Sequence, residues 1–143
     1  MRKLALAASG ALLLGFPAIA APASESYRTR LSVVPIDVAM QANVAGQGSV
    51  TATLQGNRLT VSGSAEGLRS PATVAEIHRG PPGIPGPVIL NLAVTKSAAP
   101  EISGTVDLTS SMVQDLKNGQ LYVQVNSERA PDGNLRGWLM PTQ

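Results

Sequence analysis

The sequence predicts an all-β protein: an antiparallel two-sheet β-sandwich with one short helix near residues 110–118. Three observations carry that expectation. Apolar residues recur at every second position through much of the chain beyond residue 26, which is the period of a strand with one face inward. The segments between these stripes are rich in Gly, Pro, Asn and Asp, residues suited to turns. Each stripe also offers a single apolar face, and a second sheet is needed to cover it.

The chain opens on Met1-Arg2-Lys3, and an uncharged, Ala- and Leu-rich run follows from Leu4 to Ile19. Small residues precede a cut after Ala20, which completes the plan of a cleavable signal peptide over residues 1–20. The run is shorter than the roughly 20 residues that span hydrocarbon, and Gly15 and Pro17 interrupt it. We therefore expect export to a periplasm or to the medium, with no transmembrane helix after cleavage. Residues 21–28 read as a short tether, leaving 29–143 as one folded domain.

Within that domain, Val50, Ala52 and Leu54 alternate with Thr51, Thr53 and Gln55. Leu59, Val61, Gly63 and Ala65 form the next stripe, and Gly56-Asn57 between the two reads as a tight hairpin. Pro81 to Pro87 holds four prolines and two glycines and is expected as an exposed loop. Val88, Leu90, Leu92 and Val94 follow, with Ile89 and Ala93 making that strand apolar on both faces. Ile102, Gly104, Val106 and Leu108 form another stripe. From Ser110 or Ser111 to Lys117 the period changes: Met112, Val113 and Leu116 fall at helical spacing behind a serine cap, with Asn118-Gly119 as a stop. Leu121, Val123 and Val125 alternate with Tyr122, Gln124 and Asn126. Leu135, Gly137 and Leu139 complete the set, and Pro131-Asp132-Gly133 reads as the turn between those last two strands.

Composition excludes several function classes. The 143 residues suit one domain. Without Cys there is no disulfide framework, thiolate metal site or cysteine nucleophile. A single His rules out a multi-histidine centre within one chain. The 11 basic and 9 acidic residues come into balance once Arg2 and Lys3 leave with the signal. No basic run is interleaved with aromatics, so no nucleic-acid partner is expected. No Ser lies in a nucleophile-elbow sequence, and the carboxylates are scattered rather than paired. No catalytic set and no cofactor are therefore expected.

Three separated motifs together resemble the CHRD domain, the repeat first described in chordin. The first runs from Gly67 to Gly80 and on through Pro82-Gly83 to Gly86-Pro87-Val88. The second is Leu108-Thr109 through Leu116, then Gly119 to Ser127, and the third is Pro131 to Gly137. Leu31 to Pro35 and Gly46-Gln47-Gly48 are similar to the family's opening strand, so the resemblance spans about residues 29–143. It implies a β-sandwich of immunoglobulin-like or related topology outside the cytoplasm, and it implies no common reaction. Chordin's antagonism of growth factors does not carry over, because the cysteine-rich modules associated with that role are absent.

The chain departs from the family pattern in its histidines. Glu76-Ile77-His78 stands where members often carry His-x-His, and Asn126 where they often carry a third His. Glu76 and His78 lie two apart on a strand and so share a face, which makes a Glu76/His78/Asn126 patch the candidate metal site. Its ligand count falls short of the three or four usual for zinc. The competing reading of His78 is a hydrogen-bonded residue at the lip of the Pro/Gly loop. Arg136 is expected to lock the last strand as an ion pair or carbonyl clamp, with Glu76 as its acidic partner and Asp132 and Glu128 as alternatives. Trp138 and Tyr122 are candidates for a recognition platform or for plain packing. The favoured function is an exported, non-catalytic module that binds another protein or a cell-envelope component. The alternative is a reduced metal-binding or metal-dependent protein centred on His78 and Glu76.

Overall fold

A computed structural model describes residues 9–18 and 23–143. The signal-peptide reading rests partly on residues 1–8 and 19–20, and its cut after Ala20, like the start of the tether at 21–22, lies outside the described residues. Among the described residues, no helix is long and apolar enough to cross a membrane. The elements are β1 (Ser24–Val33), a 3-10 turn (Val38–Met40), β2 (Gln47–Gln55), β3 (Arg58–Glu66), β4 (Ala72–Arg79), β5 (Val88–Val94), β6 (Glu101–Asp107), α1 (Ser110–Lys117), β7 (Leu121–Ser127), β8 (Ala130–Trp138) and β9 (Met140–Pro141). β1 begins inside the stretch read as a tether: Ser24 to Arg28 pair with Gln55 to Thr51 of β2.

The strands form a closed antiparallel barrel, which corrects the expected two-sheet sandwich. Their order is β2-β3-β6-β5-β4-β7-β8-β1, and β1 pairs back onto β2 to complete the ring, with β9 an extra strand on β1. Two strands make the closure by pairing on different edges along their length. β1 pairs with β2 up to Leu31, then with β8 at Ser32 and Val33. β5 pairs with β4 through Leu92, then with β6 at Ala93 and Val94. An alternating stripe marks the inward face equally for a sandwich and a barrel. The decision lies in the corners, where strands bend and coil. Gly63 lies at such a crowded position, since a Cβ there would run into the Ser49 carbonyl of β2.

The stripes read from the sequence point inward except at the start of β5, where Val88 is 46% exposed and Ile89 packs against the core beside a break in register with β4. Leu31, Val50, Val61, Ile77, Ile102, Val123 and Leu135, each from a different strand, are at most 2% exposed and belong to one core. Leu116 of α1 joins that core, and Met112 and Val113 pack against it. α1 lies across the barrel end where β6 finishes and β7 starts. Arg79 Nε, at the end of β4, meets Asp115 Oδ2 of α1 at 2.7 Å, and Lys117 Nζ meets Glu25 Oε1 of β1 at 3.6 Å. The helix cap is Thr109 rather than a serine: its hydroxyl accepts from the Met112 N–H at 3.2 Å. Near the same end, Tyr27 donates to Glu25 Oε2 at 2.8 Å. Burial, then that bond and the negative charge of Glu25, push the Tyr27 phenol up to about 12.

Gly56-Asn57 forms the expected two-residue hairpin between β2 and β3. Pro131-Asp132-Gly133 does not make the turn expected of it. The turn is Glu128-Arg129, and Pro131 to Gly133 belong to β8. They form a bulge: between the pairs Val125↔Leu135 and Ser127↔Ala130, Asn126 of β7 faces residues 131–134 of β8. This bulge turns the Asp132 carbonyl toward the outer face of β7.

Candidate functional site

The outer face of β4, β7 and β8 carries two rows of side chains in strand register. Pairing sets His78 opposite Tyr122 and Tyr122 opposite Trp138, and it sets Glu76 opposite Gln124 and Gln124 opposite Arg136. Facing residues on neighbouring strands lie within side-chain reach, and side-chain contacts join the whole first row and Gln124 with Arg136 in the second. In the first, the His78 and Tyr122 rings stack with centroids 4.8 Å apart and planes 16° from parallel. Tyr122 meets Trp138 at 4.6 Å with a 41° tilt.

The Pro/Gly segment from Gly80 to Pro87 folds back over this aromatic row and is held by it. Tyr122 OH accepts from the Gly86 N–H at 2.9 Å and donates to the Gly86 carbonyl at 3.1 Å. His78 Nδ1 lies 2.9 Å from that same carbonyl. Trp138 Nε1 donates to the Gly80 carbonyl at 2.8 Å. At Gly86 any Cβ would collide with the Arg79 carbonyl, so only glycine lets the returning chain lie this close. The loop expected from its prolines is thus tied down at its two ends.

His78 is committed on both ring nitrogens, because Nε2 lies 3.0 Å from Glu76 Oε2. Both nitrogens face oxygen acceptors, an arrangement in which a protonated ring donates twice and either neutral tautomer donates once. A metal ion at His78 would have to displace one of these partners. Among the described residues no three His, Cys, Asp or Glu side chains come together to hold a metal.

The second row centres on a residue that sequence reasoning passed over. Gln124, 5% exposed, accepts from Arg136 Nε at 3.1 Å and from Arg136 Nη2 at 2.9 Å through its Oε1. Its Nε2 donates to Asn126 Oδ1 at 3.0 Å and to the Asp132 carbonyl at 3.3 Å. The Arg136 guanidinium also lies 5.3 Å from the centroid of the Tyr122 ring, a cation–π contact that links the two rows.

All six candidates therefore meet on one outer face: Glu76, His78, Tyr122 and Trp138 directly, Arg136 over the Tyr122 ring, and Asn126 through Gln124, which Arg136 also bonds. The acidic partner expected for Arg136 is corrected. Glu76 pairs with His78, Asp132 offers only its backbone carbonyl to Gln124, and Glu128 sits in the turn, so Arg136 is held by a neutral amide and an aromatic face. The signal for Gln124 was its place between Tyr122 and Asn126 on the outward face of β7. The arrangement holds a loop and rigidifies a sheet. Its donors and acceptors point at one another rather than into an open cavity.

The comparisons agree with the motifs. The model of the CHRD domain matches residues 28–139, which takes in β1 from Arg28 through β8 and with it every member of both rows. No curated protein and no solved structure matches the chain significantly. By that match, the chain belongs to the CHRD domain family.

Proposed function

We propose that this CHRD-domain protein is an exported, non-catalytic module that binds another protein or a cell-envelope component. The observation that carries the reading is the commitment of the most chemically capable cluster to the loop. Both ring nitrogens of His78 face oxygens of Gly86 and Glu76 within 3.0 Å, and the hydroxyl of Tyr122 and the indole N–H of Trp138 bond to Gly86 and Gly80. A general base or nucleophile needs an available site facing its substrate. The barrel supports the reading in a second way. Its interior is filled with apolar side chains while the outer faces of β2, β3 and β6 present Ser and Thr, the inverse of a lipid-facing barrel. Pulldown from envelope and culture-fluid fractions should yield a specific partner, and its absence across several conditions counts against the proposal.

The competing reading makes His78 and Glu76, with Asn126, a metal site. It requires one ring nitrogen of His78 to leave the oxygen it faces and gains at most carboxylate and amide ligands in return. Calorimetric titration with zinc and copper separates the two readings. Our proposal predicts nothing tighter than about micromolar, the level of about −8 kcal/mol, and tighter binding would establish the metal reading instead.

A further inference from the structure

Next to the wall where His78, Tyr122 and Trp138 clasp the Pro/Gly segment, beginning at β1 beside β8, the outer faces of β1, β2, β3 and β6 form a sheet of hydroxyls. Pairing aligns Arg28 with Thr51, Thr51 with Ser62 and Ser62 with Ser103. The next row aligns Arg30 with Ser49, Ser49 with Ser64 and Ser64 with Glu101. These rows run across the strands rather than along them. Three adjoining depressions follow the same direction. One of about 440 Å³ lies between Arg28, Arg30, Trp138 and Pro141. It shares Arg30 and Ser49 with a second, which shares Ser49 and Ser64 with a third that reaches Thr95 and Glu101. The result is one continuous groove, with an indole wall and two guanidinium groups at its β1 end and hydroxyls beyond.

The charges are placed unevenly. Among the described residues, the ion pairs are Arg58–Asp107, Arg79–Asp115 and Lys117–Glu25, and Glu76 faces His78, so Arg28 and Arg30 are in none of these contacts. Arg30 makes one long bond to Gln47 Oε1 at 3.4 Å, and Gln47 in turn donates to Glu66 Oε1 at 3.3 Å. Two guanidinium forks on one strand face suit carboxylate groups. The hydroxyl rows suit the many donors and acceptors of sugar rings, and Trp138 gives a ring an apolar edge to rest on. Glu66 and Glu101 farther along oppose a continuous run of negative charge.

We propose that this groove binds a linear glycan in which acidic and neutral sugars alternate, with a carboxylate held by Arg28 and Arg30 beside Trp138. The proposal rests on the reading of the protein as a binding module and names the ligand and the surface. Such a chain crosses the strands, and its neutral sugar meets Ser49, Ser64 and their neighbours.

The test uses Trp138, the only tryptophan of the chain, as an internal reporter. Its fluorescence is followed while the protein is titrated with hyaluronan oligosaccharides, with dextran oligosaccharides of equal length, and with polyglutamate. We expect a saturable change with hyaluronan that weakens as salt rises. The double variant Arg28→Gln/Arg30→Gln, both positions exposed, should bind at least about tenfold more weakly while keeping its circular dichroism spectrum and melting temperature. No change with hyaluronan at low salt, or an undiminished change in the double variant, overturns the proposal. An equal response to dextran removes the role of the arginines, and an equal response to polyglutamate makes the groove a peptide site; either overturns it. If the groove fails but envelope pulldown with the same double variant still captures the same specific partner, the binding-module reading stands and only its location falls.

Discussion

Two walls of one barrel differ in how their outer faces are used. On β2 the alternation is visible in exposure: Val50, Ala52 and Leu54 are buried, and Ser49, Thr51 and Thr53 between them are not. On β7 alternation persists in the sequence but not in exposure, since Leu121 to Val125 are buried without a break. The difference comes from what lies outside. The β7 wall is covered by the returning Pro/Gly segment and by the bulge of β8, and its outward Tyr122 and Gln124 bond to them. Among the described residues, the outward Ser49 and Thr51 of the β2 wall are exposed, and its outward residues are small hydroxyls. Period-2 patterning separates the two faces of a strand, and whether the outer face is dry depends on where a distant loop comes to rest.

The largest expected effect tests the covered wall. Tyr122→Ala removes a ring that is 1% exposed, stacks on His78, touches Trp138 and holds Gly86. It should cost about 3–5 kcal/mol by urea denaturation, and a loss under about 1 kcal/mol would mean that this wall is as open as the other. Arg136→Ala should cost about 1–3 kcal/mol, because Gln124 Oε1 loses both of its donors while nearly buried.

A loss confined to alkaline pH should follow from β1. The phenol of Tyr27 ionises near 10 in the unfolded chain and is pushed up to about 12 in the barrel. Between those values the folded state binds more protons than the unfolded one, so stability falls as pH rises. The contribution is complete below pH 10 and is lost by about pH 12. Urea midpoints against pH should show this decline in the parent and a shallower one in Tyr27→Phe, and parallel curves would contradict it. The smallest effect belongs to the open wall: Thr51→Ala should lie within about 0.5 kcal/mol of the parent by the same measurement.

Much of this architecture was legible in the residues. The inward stripes, the short helix at Ser110–Lys117, the Gly56-Asn57 hairpin and the family all follow from spacing and motif, because each depends on neighbours close in the chain. Ring closure does not, since it is set by which distant edges meet. Its trace in the sequence is indirect: glycine interrupts the inward stripes at Gly63, Gly104 and Gly137, where a neighbouring strand or side chain comes too near for a Cβ. Pro131-Asp132-Gly133 misled for a related reason. Turn-forming residues also suit a bulge, and only the pairing of Ser127 with Ala130 places the reversal earlier. For the candidate site, period 2 placed Glu76, His78 and Asn126 on outward faces. The partner of Arg136 was out of reach, because it required knowing that β7 lies between β4 and β8.

The clasp itself is tested most directly by amide hydrogen exchange at Gly86 in Tyr122→Phe. This substitution keeps the ring between His78 and Trp138 and removes the hydroxyl that both accepts from Gly86 N–H and donates to its carbonyl. If that hydroxyl straps the loop to the barrel, the Gly86 amide should exchange about two- to tenfold faster, the range set by roughly 0.5–1.5 kcal/mol for a hydrogen bond. Amides of β2 and β3 should keep their rates. Unchanged protection at Gly86, or a loss spread evenly over the barrel, would contradict the account.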